Sequence, residues 1–203
     1  MRIEDWTGHR RRSWVAALSL CVIVARTLAG QGIAPSKEQV ADAAAFEEFS
    51  SRVQAYVTLQ TAVAASLPIL KPTDLPEMIT AHQEVLARKL REARPHAKTG
   101  DIFTPAACEA FHRASHATLE GPGSAATRAS MQSEAPNPRM RLEVNGIYPD
   151  TEPITAVPPA LLAAFPPLPA AVAYRIVGRS LILLDVESRL IVDVARRVLP
   201  SAS

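Results

Sequence analysis

The sequence predicts an α+β fold in which N-terminal antiparallel helices pack on a small C-terminal antiparallel sheet. Between residues 46 and 120, apolar side chains recur at spacings of three and four, which is the period of an amphipathic helix. Between residues 173 and 194 they alternate with polar ones or form short apolar runs, which is typical of strands. The connections between the predicted helices are short, and this favours antiparallel neighbours.

The first predicted helix has an apolar face that runs from Phe46 to Val63. Ser36 and Gln39 have the spacing of a capping box, in which each side chain bonds the backbone N–H of the other residue. The helix is expected to end at Pro68, because the residue before a proline disfavours the helical conformation.

Two further helices follow in the N-terminal half. Asp74 is the predicted N-cap of the second, which ends before Pro95. Thr104 is the predicted N-cap of the third, with Pro105 at the first helical position and a stop at Gly121.

The C-terminal half is expected to form a three-stranded meander plus one further strand. Gly178-Arg179 suits a two-residue hairpin turn, and a three-residue loop after the second strand would pair Leu183 with Ile191. The alternating stretch RMRLEVN, residues 139–145, is the predicted further strand. Both faces of this sheet carry apolar residues, so we expect cover on both sides.

Residues 1–29 have the composition of a secretory signal peptide. Three arginines, at positions 10 to 12, precede an apolar run from Trp14 to Ala25. Thr27 and Ala29 then occupy the small-residue positions of a cleavage site, which predicts a cut after Ala29. The expected destination is the periplasm or the cell exterior.

Two alternatives to a standard cleaved signal stay open. Residues 14–29 could instead act as an uncleaved inner-membrane anchor, although Arg26 interrupts the apolar run well before the length of about 20 residues that a spanning helix needs. Arg11-Arg12 before Ser13-Trp14 is also similar to the core of a twin-arginine signal.

The domain boundaries follow from these assignments. After the signal, residues 30–45 are a small and polar lead-in, and residues 46–199 form a single domain. The domain divides into a helical part at 46–120, a loop at 121–138, and a proline-rich and strand part at 139–199.

Removing residues 1–29 changes the charge of the protein. The chain has 22 basic and 20 acidic side chains, of which this segment holds five and two, so that 17 and 18 are left. This near-neutral remainder argues against nucleic acid as a partner. A membrane partner is expected only through the signal segment, if it is uncleaved.

The candidate metal ligands are Cys108, His112 and His116. They are four residues apart, so they form a stripe along the third helix that could offer sulfur and imidazole to zinc or copper. Three ligands on successive turns of one straight helix converge poorly, however. Packing of Cys108 in the core, with His112 at its edge, is the favoured interpretation, and no cofactor is predicted.

Asp185 and Asp193 end two similar apolar runs, LILLDV and RLIVDV. Paired carboxylates can perform acid–base chemistry. The predicted strand register separates these two, so they are interpreted as solvated or salt-paired.

The sequence resembles a group of uncharacterised exported bacterial proteins, from about Phe46 to Val194. The resemblance rests on three motifs: Phe46-x-x-Phe49-x-x-Arg52-Val53-x-x-Tyr56, Gly100-Asp101-Ile102-Phe103-Thr104-Pro105, and Tyr174-Arg175-x-Val177-Gly178-Arg179-x-Leu181-x-Leu183-x-Asp185-Val186. It implies a bacterial, exported, single-domain protein and assigns no catalytic residue.

The expected function is that of an exported non-catalytic binding or envelope-associated domain. The sequence contains no G-x-S-x-G, H-E-x-x-H, C-x-x-C, Walker or G-x-G-x-x-G motif. The alternative is an exported metal-dependent enzyme that uses His112 or His116.

Overall fold

The computed structural model describes residues 35–121, 124–133, 141–149, 151–152 and 157–200. Within them, helices precede a small antiparallel sheet, so the predicted α+β class is confirmed. The elements in chain order are α1 (Lys37–Ala65), α2 (Pro76–Ala93), α3 (Pro105–Glu120), α4 (Ala125–Ser133), α5 (Pro159–Ala164), β1 (Val172–Val177), β2 (Ser180–Asp185) and β3 (Ile191–Ala195).

Helix α1 begins with the predicted capping box. The Ser36 hydroxyl accepts from the Gln39 N–H at 3.1 Å, and the Gln39 side chain accepts from the Ser36 N–H at 2.8 Å. Because this cap starts the helix at Lys37, α1 includes most of the segment 30–45 that the sequence predicted as a lead-in.

Helices α2 and α3 both start with proline at the first helical position. The prediction for α3 is confirmed, since the Thr104 hydroxyl accepts from the Ala107 N–H at 3.3 Å. The predicted N-cap of α2 was wrong: Leu75, not Asp74, occupies that position and makes no side-chain cap bond. Proline lacks an N–H and has a preset φ, so it can begin a helix without a capping side chain.

The segment predicted as a loop at 121–138 contains helix α4, which spans nine residues. Helix α5 follows Pro158 and ends at Ala164, with Phe165 as its C-cap residue before two prolines.

The sheet is the predicted meander, with strand order β1-β2-β3. Val177 pairs with Ser180 across the Gly178-Arg179 turn, where Gly178 has a φ of +57°. The predicted register of the second hairpin was wrong by one residue, because Ile191 pairs with Leu184. The Asp185 N–H donates to the Leu190 carbonyl, so the loop between β2 and β3 is four residues long. A bulge then shifts the pairing with β3 between Leu184 and Leu183.

The predicted further strand at 139–145 was wrong for its described residues, 141–145, which form no strand. Asn145 has a φ of +65° in a turn that bends the chain, and just after this turn Ile147 forms an isolated bridge to Leu190. Asn145 and Gly146 still exchange backbone hydrogen bonds with Ile191, at 2.9 and 2.8 Å, and thereby cover the edge of β3. Residues 139–140 lie outside the described residues.

Apolar side chains cover both faces of the sheet, as the sequence predicted. One face packs against α1, α3 and α5 in the main core, while the other packs against Leu142 and Tyr148. Phe111 of α3 lies at the centre of the main core, with five aromatic rings whose centroids are 4.8–5.8 Å from its own. This packing fixes the helical half on the sheet.

Among the described residues, no helix combines the length and apolar character that crossing a bilayer requires. The predicted signal, its cleavage position at Ala29 and the alternative anchor at 14–29 lie outside the described residues.

Candidate functional site

Cys108, the first of the three candidate metal ligands, is half-buried and packs against the main core. Its thiol donates to the Phe103 carbonyl at 3.4 Å. Burial, together with the nearby carboxylate of Asp193, raises the pKa of Cys108 to about 11. Since the thiolate is the form that binds metal, this environment disfavours Cys108 as a ligand.

His112 and His116 lie on the half-exposed side of α3 with their ring centroids 4.2 Å apart. The Nδ1 atom of His116 is 3.0 Å from a carboxylate oxygen of Glu120, one turn further along the helix. The two imidazoles are thus adjacent, and one of them is oriented by an acidic neighbour.

The described part of the chain holds no group of three or more His, Cys, Asp or Glu side chains placed to bind a metal ion. The structure thus brings the two histidines together and directs Cys108 into the core. Zinc or copper binding by His112 or His116 stays the untested alternative to the prediction of no cofactor.

Asp193 is fully buried and accepts four backbone hydrogen bonds. Its Oδ1 accepts from the N–H groups of Gly100 at 3.0 Å and Val194 at 2.7 Å. Its Oδ2 accepts from Ile102 at 2.7 Å and Phe103 at 2.8 Å. The carboxylate therefore holds the loop before α3, in which Gly100 has a φ of +93°, a value that favours glycine.

Asp185 is also fully buried. One oxygen accepts from the N–H and the hydroxyl of Ser188, both at 2.7 Å, and the other accepts from the Tyr56 hydroxyl at 2.8 Å. Burial and the neighbouring carboxylate raise the pKa of Tyr56 far above its ordinary value, so this phenol acts as a donor. The prediction that Asp185 and Asp193 are solvated or salt-paired was wrong.

Arg94 completes the contacts between the helices and these two strands. Its Nη2 donates to the Val192 carbonyl at 3.1 Å, and its guanidinium carbon lies 5.1 Å from the centroid of the Tyr56 ring. We call the set Tyr56, Arg94, Asp185 and Asp193 the helix–sheet seam. The seam joins the helical half to the sheet. Both of its carboxylates are fully buried, so neither is exposed to a solute as an acid or a base.

The motifs of the sequence resemblance meet at the seam. Tyr56, the Gly100–Phe103 loop and Asp185 make the bonds described above, and Arg52 donates to the Asp101 carbonyl at 2.8 Å. Their spacing in the sequence is therefore explained by the way the chain closes.

An exposed apolar surface lies elsewhere, where the chain passes from α1 to α2. Side chains of residues 67–73, Leu75 and one side of α2 line a hollow of about 650 Å³, which we call the linker hollow. Nine of its twelve lining residues are aliphatic or proline, and the others are Lys71, Thr73 and His82. Its volume lies within the range of roughly 300–1,000 Å³ that is usual for ligand pockets.

The sequence explains why the linker hollow forms, although the site was not predicted. Pro68, Pro72 and Pro76 keep the linker out of both helices, so Ile69 and Leu75 cannot join either buried face. Ile69 is 92% exposed and Leu75 60% exposed. Apolar residues alternating with prolines between two helices are the signal that could have identified this site.

A second hollow, of about 620 Å³, adjoins the first on the other side of the linker. Its lining includes Glu187, whose carboxylate accepts from the Gln60 amide at 3.0 Å and lies 3.5 Å from Nε2 of His82. His82 lines both hollows, whereas Glu187 lines the second alone. Of these two hollows, the second is therefore the one with a carboxylate in its wall.

By its fold, the described chain is a helical layer on a three-stranded antiparallel meander, with an apolar hollow between α1 and α2. No protein-family model, curated protein or solved structure matches it.

Proposed function

We propose that this chain is an exported bacterial protein, periplasmic or extracellular, that acts as a non-catalytic binding domain. The export rests on the sequence of residues 1–29, with cleavage after Ala29. The binding role rests on one observation: Ile69, Leu75, Met78 and Ile79, four large apolar side chains within eleven residues, are 39–92% exposed around the two adjoining hollows. Contiguous exposed apolar surface of this kind marks interaction sites.

The ligand class that we propose is a single-chain amphiphile with an anionic headgroup. The aliphatic lining suits a hydrocarbon chain, because it offers few hydrogen-bonding groups to a polar solute. Lys71 is the one side chain with a permanent charge in the linker hollow, and no carboxylate lines it. The charge therefore favours an anionic headgroup over a neutral or cationic one.

The adjoining hollow supports the same choice. Glu187 in its wall repels an anion, so the headgroup is directed toward Lys71 and the first hollow. A ligand bound in this way places its chain against Met78 and Val85 of α2.

The test is titration of the purified full chain with dodecanoate, dodecanol and dodecyltrimethylammonium, all below their micellar concentrations, by calorimetry. We expect dodecanoate to bind most tightly. Met78→Glu should weaken it at least tenfold, because a carboxylate replaces a side chain that is 52% exposed in the hollow. Lys71→Gln should weaken dodecanoate several-fold and leave dodecanol unchanged.

Val40→Glu is the matched control, because Val40 is 54% exposed on α1 and does not line the hollow. Equal losses for Val40→Glu and Met78→Glu would overturn the proposal, as would tightest binding of the cationic amphiphile. A concentration-dependent dimer that Met78→Glu dissociates, without amphiphile binding, would also overturn it and assign the surface to a second copy.

Export has its own test, which is fractionation of the producing bacterium followed by N-terminal sequencing. We expect a shortened chain that starts at Gly30, outside the cytoplasm. A full-length chain in the cytoplasm would contradict export, and a full-length chain in the inner membrane would favour the anchor at 14–29.

A further inference from the structure

We propose that the outer edge of β1 is a second binding site, which takes an extended peptide ending in a free carboxylate. The site is a groove of about 320 Å³, which we call the edge groove. It is separate from the linker hollow, since the two share no lining residue.

The position of the edge groove follows from its lining. Val172, Ala173, Tyr174 and Arg175, four consecutive residues of β1, all line it. Successive side chains of a strand point to opposite faces of the sheet, so a cavity over one face contacts alternate residues only. A groove that contacts four in a row runs along the edge of the strand, and Leu162 of α5 and the 166–168 segment form its other wall.

The edge of β1 offers backbone hydrogen-bonding groups. The Val186 N–H donates to the Ala171 carbonyl, so Ala171, and by alternation Ala173 and Arg175, direct their backbone groups toward β2. The backbone groups of Tyr174 and Ile176 therefore face outward. Unpaired edges of this kind accept an added strand.

The two edges of the sheet differ in how they are covered. On β3, Ile191 exchanges two backbone hydrogen bonds with the 145–146 turn, and Val192 accepts from Arg94. On β1, the Val172 N–H donates to the Pro169 carbonyl at 3.1 Å. Further along the strand, the one hydrogen bond that the described residues give the Tyr174 carbonyl comes from the side chain of Arg175, through Nη1 at 2.7 Å. A side chain in that position can turn away, whereas the backbone of a folded turn cannot.

Arg175 also determines the chemistry of the ligand. It is the one charged side chain that lines the edge groove, and it lies at the end of the lined part of β1. Its Nε is buried and has no hydrogen-bond partner among the described residues. A guanidinium with an unused donor suits a carboxylate, which it can bind through two bonds. Because Arg175 is at the C-terminal end of the lined part of β1, a peptide whose C-terminal carboxylate binds there runs parallel to β1.

The experiment selects binders to the full chain from a library of peptides with free C-termini, then measures each by fluorescence polarisation. We expect binders with apolar C-terminal residues whose affinity falls at least tenfold when the terminus is amidated. Arg175→Gln should cause a similar fall, and the two changes together should cost no more than either alone, because they remove the same contact.

Arg179→Gln is the matched control, since Arg179 also bonds one backbone carbonyl, that of Leu199 at 3.0 Å, and does not line the groove. N-methylation of the peptide backbone should abolish binding at alternate positions only, because alternate N–H groups face β1. If Arg175→Gln fails to fold, Leu162→Glu, at a position that is 47% exposed, should weaken binding instead.

An absence of binders would overturn the proposal. So would binding that is indifferent to amidation, or N-methylation effects without a period of two. None of these results bears on dodecanoate binding at the linker hollow, so the two proposals fail independently.

Discussion

At the helix–sheet seam the carboxylates of Asp185 and Asp193 are fully buried, whereas at the linker hollow Ile69 is 92% exposed. The seam places polar groups in the interior, where each oxygen has short hydrogen-bond partners, and the hollow places apolar groups in water, where nothing in the described chain covers them. Buried polar groups with all partners present fix a structure, while uncovered apolar groups leave free energy available for a ligand. We therefore expect substitutions at the seam to change stability and substitutions at the hollow to change binding.

The largest expected effect is that of Asp193→Asn. Each carboxylate oxygen accepts two backbone N–H groups, so an amide in either orientation directs its own N–H₂ at two buried donors. We expect a loss of about 3 kcal/mol in the free energy of unfolding. Urea denaturation of the full chain, followed by circular dichroism, measures it.

Asp101→Asn is the control for that substitution. Asp101 also accepts a backbone hydrogen bond, from the Lys98 N–H at 2.9 Å, but in an exposed position. We expect a loss below about 1 kcal/mol, because water can replace the partner. Equal losses at positions 101 and 193 would mean that burial does not determine the strength of the seam.

Tyr56→Phe should have an intermediate effect. It removes the hydroxyl that donates to Asp185 and leaves a buried carboxylate oxygen without that partner. Hydrogen bonds to charged groups contribute roughly 1.5–3 kcal/mol, so we expect a loss of about 2 kcal/mol in the free energy of unfolding.

Tyr174→Phe provides the comparison for Tyr56→Phe. Its hydroxyl donates to the neutral Pro166 carbonyl at 3.0 Å, and both tyrosines are almost fully buried. We expect about half the loss, near 1 kcal/mol. A larger loss for Tyr174→Phe than for Tyr56→Phe in the same urea series would contradict a special role for the carboxylate at the seam.

The difference between the two regions also explains which of them the sequence could predict. The caps at Ser36 and Thr104 and the turn at Gly178 involve neighbours within three residues, so local patterns were sufficient. Three of the four partners of Asp193 lie 90 to 93 residues away, and no spacing within the run RLIVDV indicates them. The sequence identified Asp185 and Asp193 as two carboxylates at the ends of similar apolar runs. Their burial depends on contacts with residues far away in the sequence.

The strand register shows the same limit at short range. The second hairpin was predicted from apolar alternation, which fixes the faces of a strand but not a bulge. The hydrogen bonds from Ser188 to Asp185 set the loop at four residues. The alternation of apolar and polar residues does not indicate a hydrogen bond between a side chain and its own loop.

Ile69→Ser should have the smallest effect on stability and a clear effect on binding. The side chain is already 92% exposed, so we expect the free energy of unfolding to change by less than about 0.5 kcal/mol. Dodecanoate should nevertheless bind several-fold more weakly, because an apolar wall of the linker hollow is lost. Leu86→Ala on α2, a fully buried position outside that hollow, should show the reverse, a loss of roughly 2–5 kcal/mol with dodecanoate affinity retained by the folded fraction. If Ile69→Ser lowers stability by as much as Leu86→Ala, the linker packs as part of the core, and the separation between a fixed seam and a free hollow does not hold.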